Sequence, residues 1–215
     1  MGLLDRLSSR RSETAAVPVV SRATNDGPVF STKALPRFLA ALTTREVPVL
    51  LDVGPVVGTN VSFFGEHLGC KILVLDLFAD WDRHVREGKV EAFPAFLNER
   101  LTQAGGSIDG VLCWDLLDYL DRPSATALAA ELTRVLREGG ALLGFFSTAK
   151  PDAAHYTKYV IVDDTSLRYR SYAAARGRQG ALPNRDIQRL FGDLRVADSY
   201  LLKNNIREML FRKPA

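Results

Sequence analysis

The sequence predicts a doubly wound α/β domain: a mostly parallel sheet with helices on both faces and an antiparallel strand hairpin at its C-terminal end. Three observations carry that prediction. Four continuous apolar runs (VPVLLDVG from Val47, KILVLDLF from Lys71, SIDGVLCWD from Ser107 and ALLGFFS from Ala141) alternate with helical stretches. Short apolar runs without polar alternation are the pattern of strands buried on both faces, as in a parallel sheet covered by helices. Between the third and fourth runs, SATALAAELTRVLREGG places Leu128, Leu132, Val135 and Leu136 on one helical face, with Gly139 as the stop. Near the end, LRVADSYLLK and NIREMLFRK flank Lys203-Asn204-Asn205, which predicts an antiparallel hairpin at the sheet edge.

The elements follow in order. Residues 1–29 are rich in Ser, Arg, Thr and Ala without a sustained period, and are expected to form a flexible arm with a short amphipathic turn at Leu3, Leu4 and Leu7. A single domain is expected over 30–215. Its first helix opens at Ser31, tolerates Pro36 in its first turn and buries Phe38, Leu39 and Leu42. NVSFFGEHLG is helical with a small-residue stop, and NRDIQRLFGDL is a helix with Asn184 as N-cap. Residues 150–183 form an inserted cover segment, within which YVIVD and LRYRSY pair as a small hairpin around Asp164-Thr165.

Composition narrows the class. With 47% hydrophobic and 25% charged residues, a chain of 215 residues can build a full core without disulfides or metal. A net charge of +3 does not by itself call for nucleic acid or an anionic membrane. The two cysteines, Cys70 and Cys113, and the three histidines lack metal-ligand spacing, so no metal site is expected. The opening MGLLDRLSSRRS has too short an apolar stretch for a signal sequence, Arg6 breaks the myristoylation pattern, and no run of 18 apolar residues occurs. These features predict a cytoplasmic protein with two buried thiols and no membrane partner.

In a doubly wound sheet the ligand sits beyond the carboxyl ends of the strands, so the residues closing each run are the informative ones. The first run ends in Asp52-Val53-Gly54-Pro55-Val56-Val57-Gly58, where Gly54 and Gly58 permit a sharp turn and close approach of a ligand to a helix start. The second ends in Asp76, 24 residues further on, where a carboxylate can accept both hydroxyls of a ribose; the same position also suits a helix N-cap. The third ends in Trp114-Asp115, an aromatic face beside an acid. Together these residues point to a nucleoside site.

On these residues the chain resembles the class I S-adenosylmethionine-dependent methyltransferases over roughly residues 45–212. LDVGPVVG resembles the family's first motif, whose loop backs the methionine end of the cofactor, and LVLDLF the second, whose acid holds the ribose. IDGVLCWDLLDYL resembles the strand leading to the fourth motif, LTRVLREGGALLGFFS the helix and fifth strand after it, and SYLLKNNIREMLFRK the last two strands. The resemblance implies a Rossmann-like, seven-stranded sheet, S-adenosylmethionine as cofactor and Asp52, Gly54, Gly58, Asp76 and Asp115 as its binding residues. Val56 stands where the family loop has its middle glycine, Pro55 removes a backbone donor, and the third motif has no match, Glu91 and Asn98 being the nearest polar residues.

The expected function is methyl transfer to a small molecule or protein. A methyltransferase-like binding or scaffold protein is the alternative raised by Val56 and the missing motif, and a nicotinamide enzyme is a third reading of the glycine loop. No catalytic residue stands out, since methyl transfer relies mainly on positioning and only sometimes on a base; Asp115, Asp118 and His155 are the candidate bases. Residues 150–190 carry eight Lys/Arg against four Asp, with Tyr156, Tyr159, Tyr169 and Tyr172 interleaved. That composition suits either a lid over an anionic or aromatic substrate or a hairpin packed on its own tyrosines. Its aliphatic residues favour a small-molecule or protein partner over nucleic acid.

Overall fold

Seven consecutive buried residues, Ile108–Trp114, form the middle strand of the molecule and require cover on both faces. The computed structural model describes residues 27–149 and 154–215. In chain order these residues form β1 (Val29–Ser31), α1 (Ala34–Leu42), β2 (Val49–Asp52), α2 (Gly58–Ser62), β3 (Lys71–Val74), α3 (Leu77–Arg86), α4 (Phe93–Arg100), β4 (Ile108–Trp114), α5 (Arg122–Val135), β5 (Leu136–Ser147), β6 (His155–Asp163), β7 (Ser166–Ala173), α6 (Asn184–Leu190), β8 (Arg195–Leu201) and β9 (Ile206–Arg212). The main sheet runs β3-β2-β4-β5-β9-β8, and a separate sheet runs β1-β7-β6.

The expected architecture is present. Strands β3, β2, β4 and β5 are parallel, β9 is antiparallel to β5, and β8 closes the edge as the outer strand of the C-terminal hairpin. The sheet holds six strands among the described residues rather than seven. Between β3 and β4 the chain is helical, first α3, then a short 3-10 turn at Val90–Ala92, then α4, and no strand is added beyond β3. This interval holds Glu91 and Asn98.

Period-two geometry turns each continuous apolar run into two half-cores. In β4 and β5, Val111, Cys113, Leu142 and Phe146 face the core beneath α3, α4, α5 and α6. Their neighbours Leu112, Trp114, Leu143 and Phe145 face a second core shared with α1 and with Tyr159, Ile161 and Leu167 of the small sheet. Cys70 and Cys113 are both buried free thiols, and burial raises the pKa of each.

Four local expectations change. Ser31 ends a strand rather than opening a helix: Val29–Ser31 pairs with Ser166–Arg168, and α1 starts at Ala34. Val29 therefore belongs to a sheet and not to the arm, whose residues 1–26, with the amphipathic turn, lie outside the described residues. Helix α5 stops at Val135, short of Gly139, because buried Leu136 pairs with Ile108 and Lys213 Nζ takes the Thr133 and Leu136 carbonyls at 2.7 and 2.8 Å. Gly139, at φ 70°, instead turns the chain within the irregular start of β5. Asn184 is the first residue of α6, and Pro183 occupies the cap position without a side-chain bond.

Helix α1 has no acid in its first turn, yet its N-terminus is capped from the far end of the chain. Glu208 of β9, fully buried, accepts the Lys33 and Ala34 N–H groups on Oε2 at 2.8 Å each. The cap fixes α1 against the sheet by a bond between segments that sequence separates by most of the chain. Glu208→Ala leaves two helix-terminal donors without an acceptor, and is expected to lower unfolding free energy by roughly 2–4 kcal/mol. Urea denaturation followed by circular dichroism measures this as a lower midpoint at unchanged slope.

Candidate functional site

The carboxyl ends of β2, β3 and β4 gather the four acids read from the sequence, and each has a different environment. Asp52 closes β2 and is buried; its Oδ1 accepts the Gly54 N–H at 3.0 Å and the Trp114 indole N–H at 2.8 Å. Burial pushes its pKa up from 3.8 to about 6, against the opposing effect of those two bonds and with a further push from Asp76. Gly54 is needed here for a local reason: a Cβ on it would lie 2.2 Å from Trp114 Cδ1. The indole thus lies directly on the loop, on a backbone bent to φ 49°, a value rare for a bulky residue.

Asp76 is both things its position allows. Its Oδ1 caps α3 by accepting the Ala79 N–H at 2.9 Å, and its Oδ2 accepts the Val56 N–H at 3.2 Å. One carboxylate therefore ties the loop after β2 to the helix after β3. Val56 itself turns outward and is 48% exposed, so its isopropyl group does not crowd the site. Gly58 is the first residue of α2, with open space where a Cβ would be. Asp76 lines a cavity of about 360 Å³ together with Pro55, Phe78, Arg83 and Tyr156.

Asp115 and Asp118 meet a cation from the cover segment. Arg178 Nη2 donates to Asp115 Oδ2 at 2.7 Å, Tyr119 donates to the same oxygen at 3.1 Å, and the guanidinium lies over the Tyr119 ring at 5.7 Å. Asp118 is buried rather than a solvated helix residue: its Oδ2 accepts the Ser147 N–H at 2.7 Å and lies 3.7 Å from Arg178 Nε. Burial, reinforced by Asp115, holds the Asp118 pKa well above the ordinary carboxylate value. His155 is exposed at the start of β6 and pairs with Ala173, away from these acids. Glu91 and Asn98 are exposed on the helical stretch that replaces a strand.

The cover segment forms the expected hairpin of β6 and β7, closing at Asp163 and Ser166. Its tyrosines pack inward: Tyr159 stacks on Trp114 at 5.4 Å with a 4° tilt, and Tyr156 on Phe78 at 4.2 Å. Tyr156 also faces Tyr172, and Tyr159 faces Tyr169, across the ladder. The hairpin is bonded to the loop by Asn60 of α2, whose amide donates to the Tyr159 carbonyl at 2.8 Å and accepts the Ile161 N–H at 2.9 Å. Lys158 Nζ adds a bond to the Val56 carbonyl at 3.3 Å.

Sequence reasoning thus found the acids and missed Arg178 and Asn60. Arg178 stands in ARGRQG, where nothing local separates it from Arg176. Asn60 reads as one polar residue of a helical stretch. Burial of an amide at 2% exposure is what marks it, and burial there is set by a strand about a hundred residues later.

Residues 51–144, from β2 into β5, match the family described as methyltransferase domain. No curated protein matches the sequence. Among solved structures the chain is similar to the 1,6-didemethyltoxoflavin-N1-methyltransferase of Burkholderia thailandensis, with 16% identity over 85% of this chain and 78% of that one and a TM-score of 0.49. It is also similar to a putative type 11 methyltransferase from Sulfolobus solfataricus, with 13% identity, 85% and 93% coverage and a TM-score of 0.45. A SAM-dependent methyltransferase from Aquifex aeolicus gives 12% identity, 82% and 88% coverage and a TM-score of 0.46.

The environment of Asp52 makes a pH prediction. Its folded pKa of about 6 lies above the ordinary 3.8, so the native state binds the extra proton and this carboxyl lowers stability as pH rises through that window. Asp52→Asn keeps an oxygen for the Gly54 and Trp114 donors but does not ionise. The variant is expected to be more stable than wild type at pH 7 by roughly 3 kcal/mol, with the difference gone below about pH 4. Urea unfolding of both proteins between pH 4 and pH 7 measures it.

Proposed function

We propose, from the match of residues 51–144 to the methyltransferase-domain family, that the protein is an S-adenosylmethionine-dependent methyltransferase acting on a small molecule or a protein. The observation that carries the site assignment is the Asp76 carboxylate, half-buried at the rim of a cavity beside Pro55, Phe78 and Tyr156. Each of its oxygens takes one backbone N–H and keeps lone-pair capacity for a ribose hydroxyl. The backbone of loop 52–58 and the Tyr156–Phe78 stack then frame the nucleoside. When bound, the cofactor supplies an electrophilic sulfonium methyl group; this chain supplies position, a dry surround and charge compensation at Asp115.

The nucleoside half of the cofactor fits the residues present. At the other half, Trp114 rests on Gly54 and satisfies Asp52, and Tyr159 backs the indole, so the methionine end requires the indole and cover strand to shift. That filled end is also what favours the second reading, a methyltransferase-like binding protein that acts through its surface. The inward stacking of Tyr156, Tyr159 and Tyr169 leaves few free aromatic faces for nucleic-acid bases, which supports a small-molecule or protein acceptor. No helix among the described residues is long and apolar enough to cross a membrane. Two buried, unpaired thiols suit a reducing, cytoplasmic setting.

A thermal-shift titration separates the two readings. Ligand at about 100 times its dissociation constant adds roughly 2.7 kcal/mol, which raises Tm by roughly 5–11 °C in a domain of this size. S-adenosylmethionine or S-adenosylhomocysteine is expected to give that shift, and none at millimolar ligand supports the binding-protein reading. Asp76→Ala is expected to weaken affinity about 10- to 150-fold through lost charge-assisted hydrogen bonds. Asp76→Asn, which keeps the helix cap, serves as the control for folding.

A further inference from the structure

We propose that the β6–β7 hairpin and the segment after it, through Gln179, are an autoinhibitory cover, in which Arg178 and Tyr159 occupy the methionine end of the site and hold it shut until the cofactor displaces them. The inference rests on the reading that the cofactor binds at these strand ends.

The cover contacts the groups that reading assigns to the ligand. Arg178 holds Asp115, Lys158 holds the Val56 carbonyl of the loop, and Tyr159 presses Trp114 onto Gly54. The charge is matched as well. Asp115 and Asp118 are buried carboxylates, and the guanidinium between them has only 24% of its side chain exposed. A ligand carrying a sulfonium and an ammonium brings positive charge to the same acids. With its carboxylate counted, the methionine end carries a net charge of +1, and that charge and Arg178 compete for Asp115.

This plug is incompletely satisfied. The Tyr159 hydroxyl, Arg178 Nε and Asp118 Oδ1 are buried at one place without a hydrogen-bond partner among the described residues. Buried polar groups left without partners raise the free energy of the closed state, and a bound ligand or entering water relieves them. The cover is also separate in its strand pairing from the main sheet. Its sheet, β1-β7-β6, shares no ladder with the six-stranded sheet, so the only strand pairing that opening the hairpin disturbs among the described residues is the three-residue one between β1 and β7. Beyond the packing of Tyr159, Ile161 and Leu167 in the core shared with α1, it is tied down by Asn60 on the β6 backbone, by Asp82 Oδ1 accepting the Ala175 N–H at 2.7 Å, and by the Asp118 carbonyl accepting the Gln179 N–H at 2.7 Å.

If the closed form predominates, apparent affinity is reduced by the fraction of open molecules, and any change that opens the cover tightens binding in proportion. Two variants test this by different routes. Arg178→Gln retains a donor for Asp115 while removing the competing charge, and Asn60→Ala releases β6 without touching the acids. Both are expected to tighten the Kd for S-adenosylmethionine by about 10-fold or more in isothermal titration. In the absence of ligand, Asn60→Ala is expected to speed hydrogen–deuterium exchange of the β6 amides, Ile161 foremost, while β4 stays protected. Wild-type binding that both folded variants leave unchanged or weaken overturns the autoinhibitory cover and keeps the cofactor reading. Failure of wild type and both variants to bind at millimolar ligand overturns both. Unchanged β6 exchange in Asn60→Ala also counts against the latch, whatever the affinities.

Discussion

The indole N–H of Trp114 donates to the buried carboxylate of Asp52 across the ends of two adjacent parallel strands, and the arrangement at that end of the sheet is built outward from this bond. The carboxylate also takes the Gly54 N–H, so the loop and the indole share one acceptor and are held together. Only a residue without a Cβ fits beneath the ring, which ties the glycine to the tryptophan as firmly as to any ligand. With the ring in that orientation, its free face receives Tyr159, and the hairpin settles over the site.

Four carboxylates within one end of a sheet create an electrostatic problem that the fold resolves four ways. Asp52 resists ionisation because it is buried. Asp76 stays half-buried and uses a helix N-terminus, where backbone donors favour negative charge. Asp115 takes an arginine. Asp118 is held toward its protonated form by burial, reinforced by Asp115 beside it. Buried acids with raised pKa values are surroundings in which protein sites bind cations and move protons. Here the cation in residence is the protein's own, from the cover segment.

The fold was legible from apolar runs because a strand covered on both faces has few polar positions: every residue of β4 is buried, as are residues 140–147 of β5. The terminal hairpin was legible from the turn Lys203-Asn204-Asn205, where Asn205 takes φ 60°. Boundaries were less so. Helix α5 ends before Gly139 because Leu136 gains more from pairing with Ile108 in the core than from another helical turn, a competition that periodicity does not register. The seventh strand expected from family resemblance is replaced by helix, and the polar residues of that interval nearest to the third motif, Glu91 and Asn98, face solvent.

By itself the sequence determined the order of layers, the acids at the strand ends and the tyrosine-rich hairpin, because these follow from local pattern and from the rule that parallel strands end at one face. Tertiary structure alone decided what those acids do. Asp52 is 62 residues from Trp114, Asp115 is 63 from Arg178, and Asn60 is 101 from Ile161, so each partner is chosen by packing and not by neighbourhood. A carboxylate's charge and availability depend on burial and on what donates to it, and both are set by segments that meet only once the chain is folded.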